Sequence, residues 1–357
     1  MTSPQAKSIA HGRVAPASVP DGHVRVSILV HLPQLLWELG CDPADVIAEA
    51  GVDPSLLADP ENTVEFRAAG RLVEHCVART GCHDFGVLLG QKSQPSDLGV
   101  VGLLVQHSPD VGTALGSLVN HLHLHDRGGV PTLEVTDGVA MLGYAVYERA
   151  TPAADQIEVA SLVIANKIMR GLCGPGWRAS EVLLSIRRPA NLEPYKRAFG
   201  APMIFDAERH AVVFPSALLR RPVATADPAV RSSLEALVTA LHKSSPVGIA
   251  AATRRALCFL LITGHASEDF VAKAFEVHRR TLNRRLRSEG TSFRQVLEEV
   301  RFEVARQMLR DSDAPIDRIA GSLGYSGASA FGRAFRRWTG LAPHVWREQA
   351  SDHADDH

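Results

Sequence analysis

The chain has 357 residues, a length that favours two domains. Hydrophobic residues make up 45% and charged residues 22%, an ordinary globular balance, and no apolar run approaches the ~18 residues that a membrane span needs. Cys41, Cys76, Cys82, Cys173 and Cys258 include no C-x-x-C, which argues against a disulfide framework and for reduced thiols in a cytoplasm.

In chain order, residues 1–24 are rich in Pro, Ala, Ser and Gly, with no apolar core between the charges. They read as a disordered arm and not as a secretory signal. Residues 25–245 read as one domain. Val26 to Ala50 is mostly helical, with Leu32, Leu35, Leu36 and Leu39 on one face and a break at Gly40 to Pro43. A turn-rich stretch leads to a helix at about Glu65–Arg79. Cys76 and Cys82 stand beside His75 and His83 at a spacing that fits no zinc pattern, so they read as small buried hydrophobes. Two more helices, Leu98–Leu104 and Val111–His123, flank a Ser-Pro-Asp break. The alternating runs PTLEVT and AMLGYAVY, joined through Asp137-Gly138, predict a β-hairpin. A helix over about Asp155–Cys173 and the strands VLLSIR and AVVFP complete an α+β domain with an antiparallel sheet.

Two features here are candidates for chemistry. Glu158, Asn166 and Lys167 are polar positions on a largely apolar helix and are the residues chosen to line a ligand pocket. His121, His123 and His125 would face one way on a strand and could then hold a metal. On a helix only His121 and His125 share a face. The helical TALGSLVN before them favours a packed or solvated helix end, with a pocket or pH-sensitive role left open. No metal and no cofactor is expected.

RRPVATADPAVRSSL leads out of this domain, and a helix through Leu241 ends at HKSSPVG. Residues 246–349 then form a second domain, opened by a helix over about Ile249 to Gly264, and residues 350–357 are an acidic tail. Ser267 caps a short helix with Glu268 and Asp269 in its first turn. Val271, Ala272 and Phe275 share its inner face, and Val277 plugs the core after a turn. A second helix, about Arg279 to Ser288, turns Leu282 and Leu286 inward. Its other face carries Arg280, Asn283, Arg284 and Arg287 at i, i+3, i+4 and i+7. Arginine pairs with guanine and asparagine with adenine through two hydrogen bonds each, so this stripe suits a major groove.

The unit then recurs. A long helix from Phe293 to about Arg310 ends at Asp311 to Pro315. A short helix follows with Ile316, Ile319, Ala320 and Leu323 inward. Gly324 allows a positive-φ turn, and Tyr325 fills the core as Val277 does. The next helix, about Ala328 to Trp338, buries Phe331 and Phe335 and exposes Ser329, Arg333, Arg336 and Arg337. Asn283 and Arg333 are 50 residues apart. Two such helix-turn-helix units on one chain suit successive major-groove segments about 34 Å apart. Charge placement agrees: residues 265–349 hold 15 Lys and Arg against 11 Asp and Glu, in a chain of net charge −1.

LNRRLRSEGTSFRQVLEEVRFEVARQML, followed by IDRIAGSLGYSGASAFGRAFRRWTGLAPHVWR, resembles the DNA-binding domain of the AraC/XylS transcription regulators from Ser267 to Arg347. The resemblance implies base reading by Arg280, Asn283 and Arg284, and by Ala328, Ser329, Gly332 and Arg333 on the second recognition helix. Ala328 and Gly332 depart from the longer or hydroxylated side chains common there, which leaves Ser329 and Arg333 as the readers. Arg279, Arg287, Arg336 and Arg337 are assigned to phosphates. The core positions are Phe275, Leu282, Leu286, Ile319, Ala320, Gly324, Phe331 and Phe335. Arg301, on the helix joining the units, is read as structural. SDLGVVGLLVQHSPDVGTALGSLVNH and YKRAFGAPMIFDAERHAVVFPSALLRRP are similar to the arabinose-binding-type N-terminal domain of one branch of the family. That likeness implies a ligand sensor and dimerisation module.

The expectation is a cytoplasmic, homodimeric regulator that binds a double-stranded DNA operator, acts on RNA polymerase and answers to a small-molecule effector. Its rival is a ligand-independent architectural DNA-binding protein whose N-terminal domain only dimerises. An enzyme is not expected. The P-C-H and four-cysteine pattern of the DNA-repair methyltransferases that share this module is absent, as are G-x-S-x-G, Walker and G-x-G-x-x-G motifs.

Overall fold

The computed structural model describes residues 18–244, 247–262 and 266–355. The chain opens with β1 (His23–Arg25), a 3-10 turn, α1 (Leu32–Glu38), α2 (Pro43–Glu49), β2 (Thr63–Glu65) and α3 (Phe66–Thr80). After these come α4 (Phe85–Lys92), α5 (Val100–Gln106), α6 (Val111–His121), β3 (Gly129–Thr136), β4 (Val139–Val146) and α7 (Ala154–Cys173). Then follow β5 (Glu181–Leu183), α8 (Glu193–Phe199), β6 (Met203–Ile204), β7 (Ala211–Pro215) and α9 (Pro228–Ser244). The remainder is helical: α10 (Ile249–Ile262), α11 (Glu268–Ala274), α12 (Arg279–Ser288), α13 (Phe293–Asp311), α14 (Ile316–Ser322), α15 (Ala328–Thr339) and α16 (Pro343–Asp355).

The N-terminal part is α+β. Its main sheet has the strand order β3-β4-β7-β5-β6, antiparallel except for the β5–β6 pair. Asp137 and Gly138 both take positive φ, 50° and 82°, which is what a two-residue turn matched to strand twist requires. They set the β3–β4 register, with Thr136 opposite Val139 and Gly129 opposite Val146. One core fills the space between this sheet and α5, α6 and α7, around Leu104, Leu115, Leu142, Leu162 and Phe214. A second packs α1 to α4 together through Leu32, Leu36, Leu72 and Phe85.

The folded chain starts earlier than residue 25. Val19 is buried, Asp21 pairs with Arg127 at 2.9 Å, and β1 pairs with β2 in a small separate sheet. One buried valine, one ion pair and three ladder positions hold a segment whose Pro and Gly content reads as disorder. Residues 1–17 of the expected arm lie outside the described residues, as do residues 245–246 of HKSSPVG and 263–265 beyond α10. The acidic tail is helical to Asp355. Helices α4, α8 and α16 have no counterpart among the elements expected from the sequence.

Two further cores belong to the C-terminal helices. Leu257 and Leu261 of α10 close over Val271, Leu282, Leu286, Val296 and Val300. Leu309, Ile319, Ala320, Leu323, Phe331 and Phe335 form the other. The first is continuous with the sheet, because Val130 of β3 and Tyr147 just beyond β4 are buried in the same cluster.

Candidate nucleic-acid interface

The helices of the C-terminal part begin and end where the side chains dictate. Ser267 accepts from the Phe270 N–H and Ser292 from the Gln295 N–H, so α11 and α13 each start on a serine cap. Phe275 ends α11 half-buried against the first core, and Gly324, at φ 73°, turns the chain from α14 towards α15. The Arg301 Nε donates to the Leu323 carbonyl at 3.0 Å, and its guanidinium lies 4.9 Å from the centre of the Tyr325 ring. Arg301 thus ties the middle helix to the second unit.

On α12, Leu282 and Leu286 are fully buried, while Arg280, Arg284 and Arg287 are exposed. Together with Asn283 and Thr281 these arginines line one open groove. Asn283 is half-buried, and its Nδ2 donates to Glu268 Oε1 at 2.6 Å. The same carboxylate receives Arg279 at 2.9 Å, and this pair holds the Glu268 carboxyl below the usual carboxylate range. Two of the residues expected to contact DNA are therefore engaged by one acidic side chain.

On α15, Phe331 and Phe335 are fully buried and Ser329, Arg333, Arg336 and Arg337 are exposed. Arg337 lies 3.8 Å from Glu298 of α13. Gly332 is half-buried and Ala328 gives its N–H to Asp317 Oδ1, so neither offers a side-chain donor. The exposed face of α15 carries fewer base-matched groups than that of α12.

The pocket residues chosen in the N-terminal part are dispersed. Glu158 is buried and accepts from the Val146 N–H at 2.8 Å, beside His210 at 3.3 Å, in the wall of a narrow cleft shared with Gln307 and Asp311. Asn166 donates to the Ala198 carbonyl, and Lys167 is bound to the carbonyls of Gln91 and Ser93. The opposite, apolar face of α7 lines a separate cavity with His125 and Tyr144 in its wall.

The three histidines part company as the helix ends. His121 and His123 gather round His242 of α9, with His123 Nε2 and His242 Nε2 2.9 Å apart. His125 turns into the cavity wall instead. Burial drives His123 down to about 2 and His125 to about 3, so both are neutral imidazoles. Among the described residues no group of three or more His, Cys, Asp or Glu gathers as metal ligands. No helix among them is long and apolar enough to cross a membrane.

Two helix-turn-helix units behind an α+β domain define a DNA-binding transcription regulator. Residues 40–223 match the family "Arabinose-binding domain of AraC transcription regulator, N-term", and residues 271–349 match a helix-turn-helix domain. The ornithine utilization regulator of Pseudomonas aeruginosa is 31% identical over 330 residues, 91% of this chain and 96% of that one. The HTH-type transcriptional regulator VirS of Mycobacterium tuberculosis is 26% identical over 326 residues, again 91% of this chain and 96% of the relative. Among solved structures, the transcriptional regulator CdpR of Pseudomonas aeruginosa is 26% identical. It covers 87% of this chain and 97% of its own, at a TM-score of 0.42. The chain belongs to the AraC family of transcription regulators, which are DNA-binding proteins and not enzymes.

Proposed function

We propose that the protein is a cytoplasmic homodimer that reads an operator with α12, supports it with α15, and changes its hold on DNA or RNA polymerase when residues 25–245 bind a small organic effector. The observation that carries this reading is the stripe of exposed Arg280, Arg284 and Arg287 with half-buried Asn283 among them, on a helix whose other face is locked into a core by Leu282 and Leu286. In the proposal, Arg280, Asn283 and Arg284 meet base edges in one major groove, and Ser329 and Arg333 meet them in the next. Arg279, Arg287, Arg336 and Arg337 hold phosphates. DNA must then compete with Glu268 for Asn283 and Arg279, which exchanges an internal contact for an external one.

The ornithine utilization regulator takes its name from a cationic amino acid, so L-ornithine is a fair first effector to test at this identity. The experiment begins with a duplex selected from a random library by the full-length protein. Affinity for that duplex is compared with a scrambled one, with and without candidate effectors. A large preference for the selected duplex, altered by a small molecule, supports the reading. Equal binding to both would favour a ligand-independent architectural protein.

A further inference from the structure

A cavity of about 100 Å³ lies inside the N-terminal part, between the β1 segment, α3, the sheet and α7. Its wall is overwhelmingly apolar, with Ile28, Phe66, Leu142, Ile157 and Ile164 among the side chains that form it. One polar group stands apart. His125 is 98% buried, and neither of its ring nitrogens meets a hydrogen-bond partner among the described residues. A buried polar group without a partner costs free energy, so such a group in a cavity wall asks for a partner in the cavity.

The charged groups beside it are engaged. Asp126 accepts the N–H groups of Gly128 and Gly129 and the Tyr144 hydroxyl. Arg25 donates to the carbonyls of Leu124 and Glu61 and pairs with the Glu61 carboxylate at 2.9 Å. An anionic group placed here would find Arg25 already paired with Glu61 and the Asp126 carboxylate beside it. A neutral imidazole offers one donor and one acceptor, and a hydroxyl offers the same pair. At about 100 Å³ the space is smaller than a roughly 150 Å³ apolar cavity that takes up benzene, so it suits a guest no larger than one six-membered ring.

We propose that this cavity binds a small uncharged molecule, apolar over most of its surface, whose single hydroxyl pairs with His125. The inference rests on the sensor reading above and names the chemistry of its site. The position has a route to the DNA-binding part. Tyr144 lines the cavity from β4, and Val146, two residues on, is held by Glu158 of α7 through its N–H and by Gln307 of α13 through its carbonyl. A guest that shifts β4 therefore shifts the strand on which the C-terminal helices rest.

The test uses the full-length protein and four probes of similar size: phenol, cyclohexanol, toluene and benzoate. Binding is measured by calorimetry and thermal shift. Phenol and cyclohexanol should bind at least ten-fold more tightly than toluene, and benzoate should give no shift. His125→Phe should remove that ten-fold advantage and keep toluene binding. Should that variant not fold, Ala165→Leu in the α7 wall should weaken all three uncharged probes at least ten-fold. Benzoate binding as well as phenol, toluene matching phenol in the unaltered protein, or binding indifferent to both substitutions would overturn the proposal. A charged effector that alters operator binding equally in His125→Phe would leave the sensor reading standing and remove this site. Phenol that binds through His125 while no small molecule alters operator binding would keep the site and sink the sensor reading.

Discussion

The two helix-turn-helix units share one architecture but meet the rest of the molecule differently. The first is joined to the sheet by apolar burial, with Val130 and Tyr147 sealed into the core beneath α12. The second closes its own core with an aromatic cluster, in which Phe335 lies within 6.3 Å of the ring centres of Phe302, Phe331, Trp338 and Trp346. Its part of α13 and α14 meets the N-terminal part through polar contacts instead. Gln307 donates to the Val146 carbonyl at 3.2 Å, Arg187 to Asp313 at 2.7 Å, and the Asp313 N–H to Asp206 at 2.7 Å. An apolar seam is strong and tolerates little change of shape, whereas the exposed Arg187–Asp313 pair can be exchanged for water, which leaves the buried Gln307 bond as the firmer of these polar contacts. The difference suggests that the first unit follows the sheet and the second is the freer of the two.

The sharpest way to break this comparison is to remove Phe335. Phe335→Ala should cost about 3–5 kcal/mol, the range for truncating a buried aromatic, and the loss should fall on the second unit. Hydrogen exchange would then show α14 and α15 opening while α10 and α12 stay protected. Equal loss of protection in both units would mean that the cores are energetically one.

Acid should act on the N-terminal part before it acts on either unit. His125 is held down to about 3 by burial, with Arg25 beside it. His123 is held down to about 2 by burial, with Arg255, His242, Arg127 and His121 around it. Their folded values lie below the ordinary histidine value of 6.5. The stability they contribute is thus present above pH ~6.5 and lost as pH falls from there towards 3. Asp311 works the other way, since burial raises it to about 6 despite Arg310, and it recovers some stability below that pH. Urea melts at pH 7.5 and 5 should show a net fall, and His125→Phe should flatten it. A stability that rises on acidification would show that the carboxyl groups dominate.

The DNA faces should differ as the two cores do. Arg284→Ala should weaken the selected duplex by roughly 1–3 kcal/mol and relax specificity at one position. Arg336→Ala should weaken selected and scrambled duplexes alike and lower the salt slope by about one unit. Titrations of both variants at several salt concentrations separate the two kinds of contact. Equal loss on both duplexes for Arg284→Ala would make α12 a phosphate clamp.

Much of this was legible in the sequence, for identifiable reasons. The C-terminal helices carry 3.6-residue periodicity with serine caps and a glycine turn, so Arg279–Ser288 is bounded as expected. The β3–β4 hairpin rests on Asp137-Gly138, a purely local signal. The cavity is different in kind. Val24, Phe66, His125, Leu142 and Ile164 come from five separated segments, and no period links them. On α7 polarity drew attention to Glu158, Asn166 and Lys167, but all three bind backbone groups, and the cavity is lined by the apolar face. The partnering of Asn283 with Glu268, 15 residues apart, was likewise beyond any local pattern.

The smallest effect tests the rim contact itself. Arg187 donates from Nε to Asp313 Oδ1 and from its guanidinium to the Arg310 carbonyl, while its own N–H meets the Asp311 carbonyl. The Asp313 side chain is 66% exposed and that of Arg187 36% exposed. Exposed ion pairs are worth about 0–1 kcal/mol, because solvent screens them and two long side chains must be ordered to form them. Arg187→Ala also leaves the backbone bond to Asp311 in place. The denaturant midpoint should therefore move by the equivalent of less than ~1 kcal/mol, while exchange at α14 quickens relative to α12. A loss above ~2 kcal/mol would show that the second unit is bound to the N-terminal part as firmly as the first. The second unit would then not be the freer of the two.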